Sequence, residues 1–249
     1  MTKRSPGVKS EKSEKRTARG GKLIRNKALL ATPCEEFQFI RPYLEYVNLP
    51  HRRVLHQSHR TVKFAHFPNE GLISLVVVMK DGKTVEAGLL GSDGASGLPA
   101  VLGLTKSPLR EVVQISGSAF RIKVSALRKL LPSTPRLQVI LTRFASGLAM
   151  QVAQTAACNR LHKIEKRLAR WLLIAEDRLE TPVVAITHDF LATMLGTDRP
   201  SVTLAANILQ KQGLIGHSRG YIKILNRTGL QAFACECYGI VRKYNNANA

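Results

Sequence analysis

The sequence is poor in cysteine and contains no long hydrophobic run. Its four cysteines are too few and too unevenly spaced for the disulfide framework of a small secreted protein. The apolar stretch at residues 71–79 is far shorter than the roughly 18–20 residues that span a bilayer. The N-terminus lacks the apolar core of a secretory signal. These absences argue against a membrane-spanning protein and predict a cytoplasmic location.

The sequence also lacks the common catalytic signatures. It contains no nucleophile elbow, P-loop, zinc-hydrolase motif or glycine-rich dinucleotide fingerprint. The adjacent His188 and Asp189 are better explained by the chemistry of a first helical turn than by catalysis. We therefore predict no catalytic residue and no enzymatic activity.

Acidic residues are scarce relative to basic ones. The chain has 17 Asp and Glu against 38 Lys and Arg, a net charge of +21. This excess predicts an anionic partner, either a nucleic acid or an acidic membrane surface. Residues 1–27 hold ten Lys or Arg and two Glu with almost nothing to bury, so we predict a disordered basic tail. Both a solvated tail and a DNA-binding arm fit this stretch.

Short strand patterns dominate residues 28–133. A short helix is predicted first, within residues 29–47, with one apolar face made of Phe37, Ile40, Leu44 and Val47. Strands are then predicted at residues 53–56, 62–67, 71–79, 84–90, 111–116 and 118–124. The Asp-Gly pair within residues 80–83 predicts a hairpin turn. This spacing is typical of an antiparallel barrel or roll.

A long helix is predicted over residues 134–159. Along it, one seam steps alternately by four and three residues through Leu137, Leu141, Phe144, Leu148, Gln151, Thr155 and Cys158. A seam of this kind in a basic protein predicts a parallel homodimer. The two polar positions, Gln151 and Thr155, would either fix the register of the coiled coil or contact the barrel.

Residues 188–215 contain the most specific pattern, two short helices joined by a turn at Gly196. The first helix has its apolar face at Phe190, Leu191, Met194 and Leu195, and the second has Val202, Ala206 and Leu209. Thr187 is placed to cap the first helix and Asp198 the second, and Pro200 falls in the first turn of the second helix. The outward side of that helix carries Arg199, Ser201, Thr203 and Asn207. This pattern is typical of a recognition helix that enters a DNA major groove.

A β-hairpin wing follows, with residues 216–220 as the turn between two short strands, and a final helix is predicted from Thr228 toward Tyr244. This order of elements resembles the Crp–Fnr superfamily of bacterial transcription regulators over about residues 30–244. Residues 191–203, 209–215 and 219–224 carry the resemblance most clearly. It implies an α+β fold with an N-terminal antiparallel β-roll or jelly-roll sensor domain at 28–133, a dimerisation helix at 134–159, and a C-terminal winged helix-turn-helix domain at 160–249.

The resemblance assigns roles to residues at the start of the second helix. Arg199 matches an arginine that reads guanine through O6 and N7, and Ser201 matches a hydroxyl that contacts phosphate. Leu204 replaces a second base-reading arginine of many members and can only pack on a thymine methyl, so the operator should differ from that of the cyclic-AMP receptor protein. Thr203 and Asn207 are the expected substitutes. The full predicted DNA-binding set is Thr197, Asp198, Arg199, Pro200, Ser201, Thr203, Leu204, Asn207, Arg219 and Tyr221.

The ligand motif of the family is degenerate here. In members that bind cyclic nucleotides, a Gly-Glu pair holds the ribose and an Arg-Ser pair holds the phosphate. In this chain Gly97 is followed by Leu98, and Arg110 by Glu111, whose charge would repel an anion. We expect no cyclic nucleotide and no other cofactor. These four residues would line a pocket that is either empty or serves an unidentified effector.

No metal site is predicted. Iron–sulfur members of the family have most of their four cysteines near the N-terminus, where this chain has only Cys34. Cys235 and Cys237, placed on one helix, would point about 200° apart and could not chelate one ion together. Cys158 is assigned to packing on the seam. Two interpretations stay open for His51, His56, His59 and His66. They could sense haem, or, more simply, they could be scattered surface histidines.

Two functions are consistent with the sequence. The first is a homodimeric regulator that binds a palindromic operator in double-stranded DNA, with half-sites about one helical turn apart. RNA polymerase is then a candidate further partner, and no membrane partner is expected. The second is a ligand-binding module whose winged helix contacts protein or nucleic acid without sequence preference. The first is our prediction, because it accounts for the recognition helix, the wing, the seam and the charge together.

Overall fold

The structure, a computed structural model, describes residues 16–247. Residues 1–15 of the predicted disordered tail lie outside the described residues. The remainder of that tail is folded, so the prediction of disorder is wrong for residues 16–27. Ala18 and Ile24 are buried in one hydrophobic cluster with Leu29 and Phe37 of the following helices. Two apolar side chains among the cations anchor this segment, because their burial removes apolar surface from water.

Asn26 fixes the start of the first helix, α1 (Lys27–Ala31). Its Oδ1 accepts a hydrogen bond from the Leu29 amide at 3.1 Å, which is an N-cap. Its Nδ2 donates to the carbonyl oxygens of Pro68 at 2.9 Å and Gly94 at 2.8 Å. One buried amide therefore both starts the helix and ties it to the sheet.

The single helix predicted within residues 29–47 is wrong. Helix α1 is followed by α2 (Cys34–Ile40) and a 3-10 turn (Arg41–Tyr43). Pro33 and Pro42 interrupt the run, because proline cannot donate the hydrogen bond that continues a helix. Val47, predicted on the helix face, lies in the first strand, β1.

Five strands form one antiparallel sheet, as the strand spacing predicted. They are β1 (Glu45–Leu49), β2 (Val54–His56), β3 (Phe64–Val78), β4 (Thr84–Leu90) and β5 (Arg110–Lys123). Strand β5 lies between β1 and β3, β4 pairs with the other side of β3, and β2 also pairs with β5. Two short helices flank the sheet, α3 (Leu98–Val101) and α4 (Val124–Leu130).

Strand β3 joins two strands that the sequence predicted separately, at residues 62–67 and 71–79. Its pairing register with β5 shifts on both sides of Gly71. Gly71 has φ of +87°, and a Cβ atom there would overlap the carbonyl oxygen of Ile115. The polar and glycine residues between the predicted strands therefore bend one strand and do not end it. The predicted hairpin turn is confirmed, with the Met79 amide donating to the Lys83 carbonyl at 2.9 Å.

The long helix α5 (Pro135–Leu161) is present, but the predicted dimer seam faces the interior of its own protomer. Leu137 and Leu141 are fully buried in the cluster that also contains Leu29. Gln151 Nε2 donates to the Leu89 carbonyl at 3.2 Å. The other seam residues behave alike: Phe144 and Leu148 pack on the sheet cluster, Thr155 accepts from Arg170 at 3.4 Å, and Cys158 is buried. A heptad pattern cannot distinguish packing within a chain from packing between chains, and here the sheet supplies the apolar surface.

The opposite side of α5 is exposed. It carries the exposed Thr142 and Arg143 and five small or apolar residues at helical spacing: Val139, Ser146, Met150, Ala153 and Ala157. Val139 and Met150 keep 41% and 45% of their surface accessible. We refer to these five residues as the outer face of α5.

We expect Gly94→Ala to destabilise the fold by about 1–3 kcal/mol, because an added methyl overpacks a filled site. A Cβ atom on Gly94 would overlap the ring of Phe144 on α5. Urea unfolding measures the loss, and a second change, Phe144→Ala, should couple to it in a double-mutant cycle. The control is Gly239→Ala, where nothing lies within 4 Å of the added atom. Equal stabilities of Gly94→Ala and the native protein would contradict this packing.

The C-terminal half is built around α6 (Ile164–Leu179). It contains α7 (His188–Leu195), α8 (Arg199–Lys211) and the strands β6 (Val183–Val184), β7 (Ile215–Ser218) and β8 (Tyr221–Ile224). The three strands pair in the order β6-β8-β7, so the predicted wing is confirmed, although its turn is shorter than residues 216–220. The buried residues of α6, α7 and α8 form one hydrophobic cluster, which also includes Leu72 and Leu89 of the first sheet. The two halves therefore share a core.

The C-terminal helix predicted from Thr228 is two helices, α9 (Arg227–Phe233) and α10 (Cys237–Ala247). Asn226 caps the first one, with its Oδ1 accepting from the Gly229 amide at 2.8 Å. Ala234 then takes an extended conformation with ψ of 163°, which ends α9. Cys235 consequently lies between the helices.

Within residues 16–247, the structure contains no helix that is both long enough and apolar enough to cross a membrane.

Candidate DNA-binding site

Helices α7 and α8 form a helix-turn-helix whose local signals are those that the sequence predicted. Thr187 caps α7 by accepting from the Phe190 amide at 3.3 Å. Gly196 ends α7 in the left-handed conformation, with φ of 60°. Asp198 caps α8, accepting from the Ser201 amide at 2.8 Å and the Ser201 hydroxyl at 3.0 Å. The turn is thus defined by side chains within a few residues of it.

Arg199, the cation in the first turn of α8, is exposed to solvent. The side chain of Arg199 is 65% exposed, and its Nε lies 3.6 Å from Asp189 Oδ1, itself 67% exposed. An ion pair this exposed is weak and can be exchanged for a phosphate or a base edge. The N-terminus of α8 adds a partial positive charge at the same place. Pro200 lies in this turn and is exposed as well.

Two of the predicted base-reading residues, Thr203 and Asn207, each contact a histidine side chain. His188 Nδ1 lies 3.0 Å from Thr203 Oγ1, which also donates to the Arg199 carbonyl at 3.0 Å. His217 Nε2 of the wing lies 3.1 Å from Asn207 Oδ1. In a contact with adenine, Asn207 Oδ1 would accept from N6 and Nδ2 would donate to N7, and Oδ1 has a second lone pair for His217.

This histidine pair has no signal in the sequence, because its members are 29 positions apart. The ring centroids of His188 and His217 lie 5.2 Å apart. Burial lowers the pKa of His188, and the neighbouring His217 and Arg199 lower it further. His188 is therefore neutral at physiological pH and acts on Thr203 as a hydrogen-bonding group.

The remaining predicted DNA-binding residues lie on α8, on the wing and in the turn of the helix-turn-helix. Leu204 is 63% exposed on the outward face of α8. Arg219 and Tyr221 are exposed at the tip and return strand of the wing. Thr197 is half-buried and borders a cavity between the helix-turn-helix and the β3–β4 hairpin, where Lys83 is also found.

The four predicted effector-pocket residues do not form an open anion site. Leu98 is 3% exposed and belongs to the hydrophobic core. The buried Glu111 accepts from the Gly97 amide at 3.0 Å, and its other oxygen lies 3.4 Å from His56 Nε2. Arg110 is half-buried at the start of β5. An incoming phosphate would meet a buried carboxylate already held by its neighbours.

The interpretation of all four N-terminal histidines as scattered surface residues is wrong for two of them. His56 and His66 are buried, and their rings lie 5.8 Å apart. His66 Nδ1 lies 3.2 Å from Ser96 Oγ. Burial lowers the pKa of His66 to about 3, so this histidine stays neutral.

A buried carboxyl group links the sheet to the C-terminal half. Glu86 of β4 accepts a hydrogen bond from the indole N–H of Trp171 of α6 at 2.9 Å and from the Ser74 hydroxyl at 2.6 Å. Burial raises the pKa of Glu86 to about 7, against the opposing effect of these hydrogen bonds. Arg178 of α6 makes a second link, with Asp93 at 3.0 Å and with Gln151 of α5 at 2.9 Å.

The raised pKa of Glu86 predicts a pH-dependent stability. Between the unfolded pKa of 4.5 and about 7, the native state holds a proton that the unfolded state releases, so the free energy of unfolding falls as pH rises. This contribution is on the order of 3 kcal/mol across the interval. Glu86→Gln should remove it, so its stability relative to native protein should increase from pH 5 to pH 8 in urea titrations. Glu35→Gln changes an exposed carboxylate and is the control. A constant difference for Glu86→Gln would contradict the prediction.

The prediction that Cys235 and Cys237 point apart is wrong, because only Cys237 lies on a helix. Their sulfurs meet Cys158 and His162 at the C-terminal end of α5, and the four ligand atoms all lie within 4.8 Å of one another. His162 was not among the residues predicted from the sequence. The i, i+4 spacing of Cys158 and His162 was the available signal.

Residues 166–233 match the family described as the Crp-like helix-turn-helix domain. This segment is therefore similar to the helix-turn-helix domain of Crp-like proteins. Transcriptional regulator SdrP from Thermus thermophilus is 25% identical over 171 residues, which cover 66% of this chain and 81% of SdrP.

The fold is that of solved Crp–Fnr regulators. FixK2 from Bradyrhizobium japonicum has a TM-score of 0.68 at 17% identity, covering 77% of this chain and 98% of FixK2. A transcriptional regulator of the CRP/FNR family from Thermus thermophilus has a TM-score of 0.61 at 22% identity, covering 76% and 98%. The predicted resemblance to the Crp–Fnr superfamily and the predicted fold class are confirmed. The antiparallel sheet precedes α5, and the Crp-like helix-turn-helix domain follows it.

Proposed function

We propose that this protein is a sequence-specific transcription regulator that binds a palindromic DNA operator as a homodimer. The observation that carries the proposal is the outward side of α8, where Arg199 and Leu204 are exposed, together with the exposed wing residues Arg219 and Tyr221. A cation that reaches a base edge and an apolar side chain that meets a thymine methyl are the two kinds of contact that read a major groove. The net charge of +21 supplies sequence-independent attraction to DNA.

We propose that the dimer interface is the outer face of α5, because the seam predicted from the sequence is buried within the protomer. Val139 and Met150 offer apolar contact at this face, and Ser146, Ala153 and Ala157 are small enough for two helices to approach closely. Two copies of α5 related by a twofold axis would present two copies of α8 to successive turns of the major groove.

We assign no effector to this protein. Burial of Leu98 and the bonds of Glu111 argue against a cyclic nucleotide in the family's usual position. RNA polymerase is a proposed further partner, as the resemblance implies.

The test is selection from a library of randomised palindromic duplexes, followed by fluorescence anisotropy at physiological salt. We expect one selected palindrome to bind at least about 10³-fold more tightly than bulk DNA. A variant lacking residues 1–15 should bind bulk DNA less well and keep the same operator. If no sequence exceeds bulk DNA, the result favours the second function, a module that contacts nucleic acid without sequence preference.

A further inference from the structure

A group of sulfur and nitrogen ligands lies where the end of α5 meets the start of α10. Cys158 and His162 are one helical turn apart on α5, Cys235 lies in the α9–α10 connection, and Cys237 is the first residue of α10. The three sulfurs are buried and His162 is half-buried. Within the described part of the chain, these cysteines form a buried cluster of their own, separate from the three hydrophobic cores.

The distances within the group suit a single tetrahedral ion. Cys158 Sγ lies 3.5 Å from Cys235 Sγ, and Cys237 Sγ lies 3.5 Å from His162 Nδ1. Zinc bonds of about 2.3 Å to sulfur and 2.0–2.1 Å to nitrogen imply tetrahedral edges of about 3.8 Å between sulfurs and about 3.6 Å between sulfur and nitrogen. Because all four ligand atoms lie within 4.8 Å of one another, there is room for one ion but not for an iron–sulfur cluster.

A second shell of hydrogen-bonding groups surrounds the four ligands. While His162 Nδ1 faces the thiols, its Nε2 lies 3.3 Å from Glu236 Oε2. A carboxylate on the far nitrogen is the usual partner of a metal-bound histidine, since it fixes the tautomer and the ring orientation. Gln154 Nε2 donates to Cys237 Sγ at 3.0 Å, an arrangement that suits a metal-bound thiolate.

The surrounding charge also fits. Three thiolates, one neutral imidazole and a divalent ion carry a net charge of −1. Arg170 and Arg167 are only 4% and 9% exposed, and within the described residues neither forms an ion pair with a carboxylate closer than 4.0 Å. Both interact electrostatically with Cys158. A metal–thiolate complex would give these two buried cations an anionic neighbour.

We propose that Cys158, His162, Cys235 and Cys237 bind one Zn²⁺ ion that fastens α10 to the end of α5. Three thiolates and an imidazole in a tetrahedron select zinc among the common divalent ions. Four protein ligands leave no open position for a substrate, so the site is structural. It joins α5, the helix assigned to the dimer interface, to the C-terminal helix α10. Cys158 and Cys235 are 77 positions apart in the sequence.

The first experiment uses the full-length protein, purified without a histidine tag. Elemental analysis should find one zinc per chain, and zinc X-ray absorption should give three sulfurs at about 2.3 Å and one nitrogen at about 2.0–2.1 Å. Replacement by Co²⁺ should produce the visible bands of a tetrahedral site and a thiolate charge-transfer band. Removing zinc with a chelator should lower the melting temperature, and added zinc should restore it.

The second experiment uses variants. Cys237→Ser and His162→Ala should each lose the native zinc content, whereas Cys34→Ser removes an exposed thiol outside the group and should keep it. Glu236→Gln should retain one zinc but weaken its affinity about 10–100-fold, because only the second shell changes. That intermediate effect would not arise if Glu236 were an ordinary surface residue.

Three results would overturn the proposal. One is protein without zinc that develops no thiolate charge-transfer band with Co²⁺. Another is zinc coordinated by oxygen and nitrogen alone. The last is a Cys158–Cys235 disulfide, detected by alkylating the unreduced protein, in place of metal. If the serine and alanine variants fail to fold, the cobalt and X-ray spectra of the native protein decide the question alone.

Discussion

Ala153→Glu is expected to convert the protein from dimer to monomer and to weaken operator binding by about 10²–10⁴-fold. Ala153 lies near the middle of the outer face of α5. Around a twofold axis, two glutamates would face each other in an apolar contact, where like charges repel and are costly to desolvate. A monomer reaches only one half-site, so it loses the gain that comes from linking two binding events. Sedimentation velocity measures the assembly, and anisotropy on the selected operator measures binding.

The matched control is Gln138→Glu, which adds the same charge to the same helix. Gln138 is exposed on the flank of α5, about 60° around the helix from Ala153. This variant should remain dimeric and should bind the operator nearly as the native protein does. If both variants are dimers, α5 does not form the interface by its outer face, and the assignment is wrong. Circular dichroism and unfolding must show that each variant is folded.

Arg199→Ala should reduce discrimination at one base position in each half-site by about 1–3 kcal/mol, or roughly 5–150-fold in affinity. Its side chain is exposed at the start of α8, and its ion pair within residues 16–247 is with the exposed Asp189 at 3.6 Å. Without the two parallel donors, the site can no longer distinguish guanine from other bases. Competition anisotropy against operators with every substitution at each position identifies the position that loses its preference.

Two further variants separate base reading from simple charge. Arg199→Lys keeps the charge but not the planar pair of donors, so it should bind more tightly than the alanine variant and still lose guanine preference. Lys211→Ala removes an exposed cation from the other end of α8 and should leave base preference unchanged. A uniform loss of affinity across all sequences in Arg199→Ala would make Arg199 a phosphate contact.

The helix-turn-helix could be predicted from sequence because its signals are local. Thr187, Gly196 and Asp198 act on atoms within a few residues of themselves, and the structure shows each in the predicted role. The histidines behind Thr203 and Asn207 could not be predicted, because His217 reaches α8 only after the wing has folded back. The same reason explains the buried pair His56 and His66, whose positions depend on how the strands pair.

Local sequence patterns alone predicted the succession of sheet, long amphipathic helix and winged helix-turn-helix, with the caps and turn of the helix-turn-helix. These follow from hydrophobic periodicity and from side chains that bond to nearby backbone. What covers the apolar seam of α5 depends on long-range packing, because a heptad repeat specifies an apolar face but not its partner. The tertiary structure also decided that residues 16–27 are folded. Finally, it brought Cys158 and His162 to Cys235 and Cys237, a meeting set by the packing of α10 on α5 and by the break that frees Cys235 from a helix.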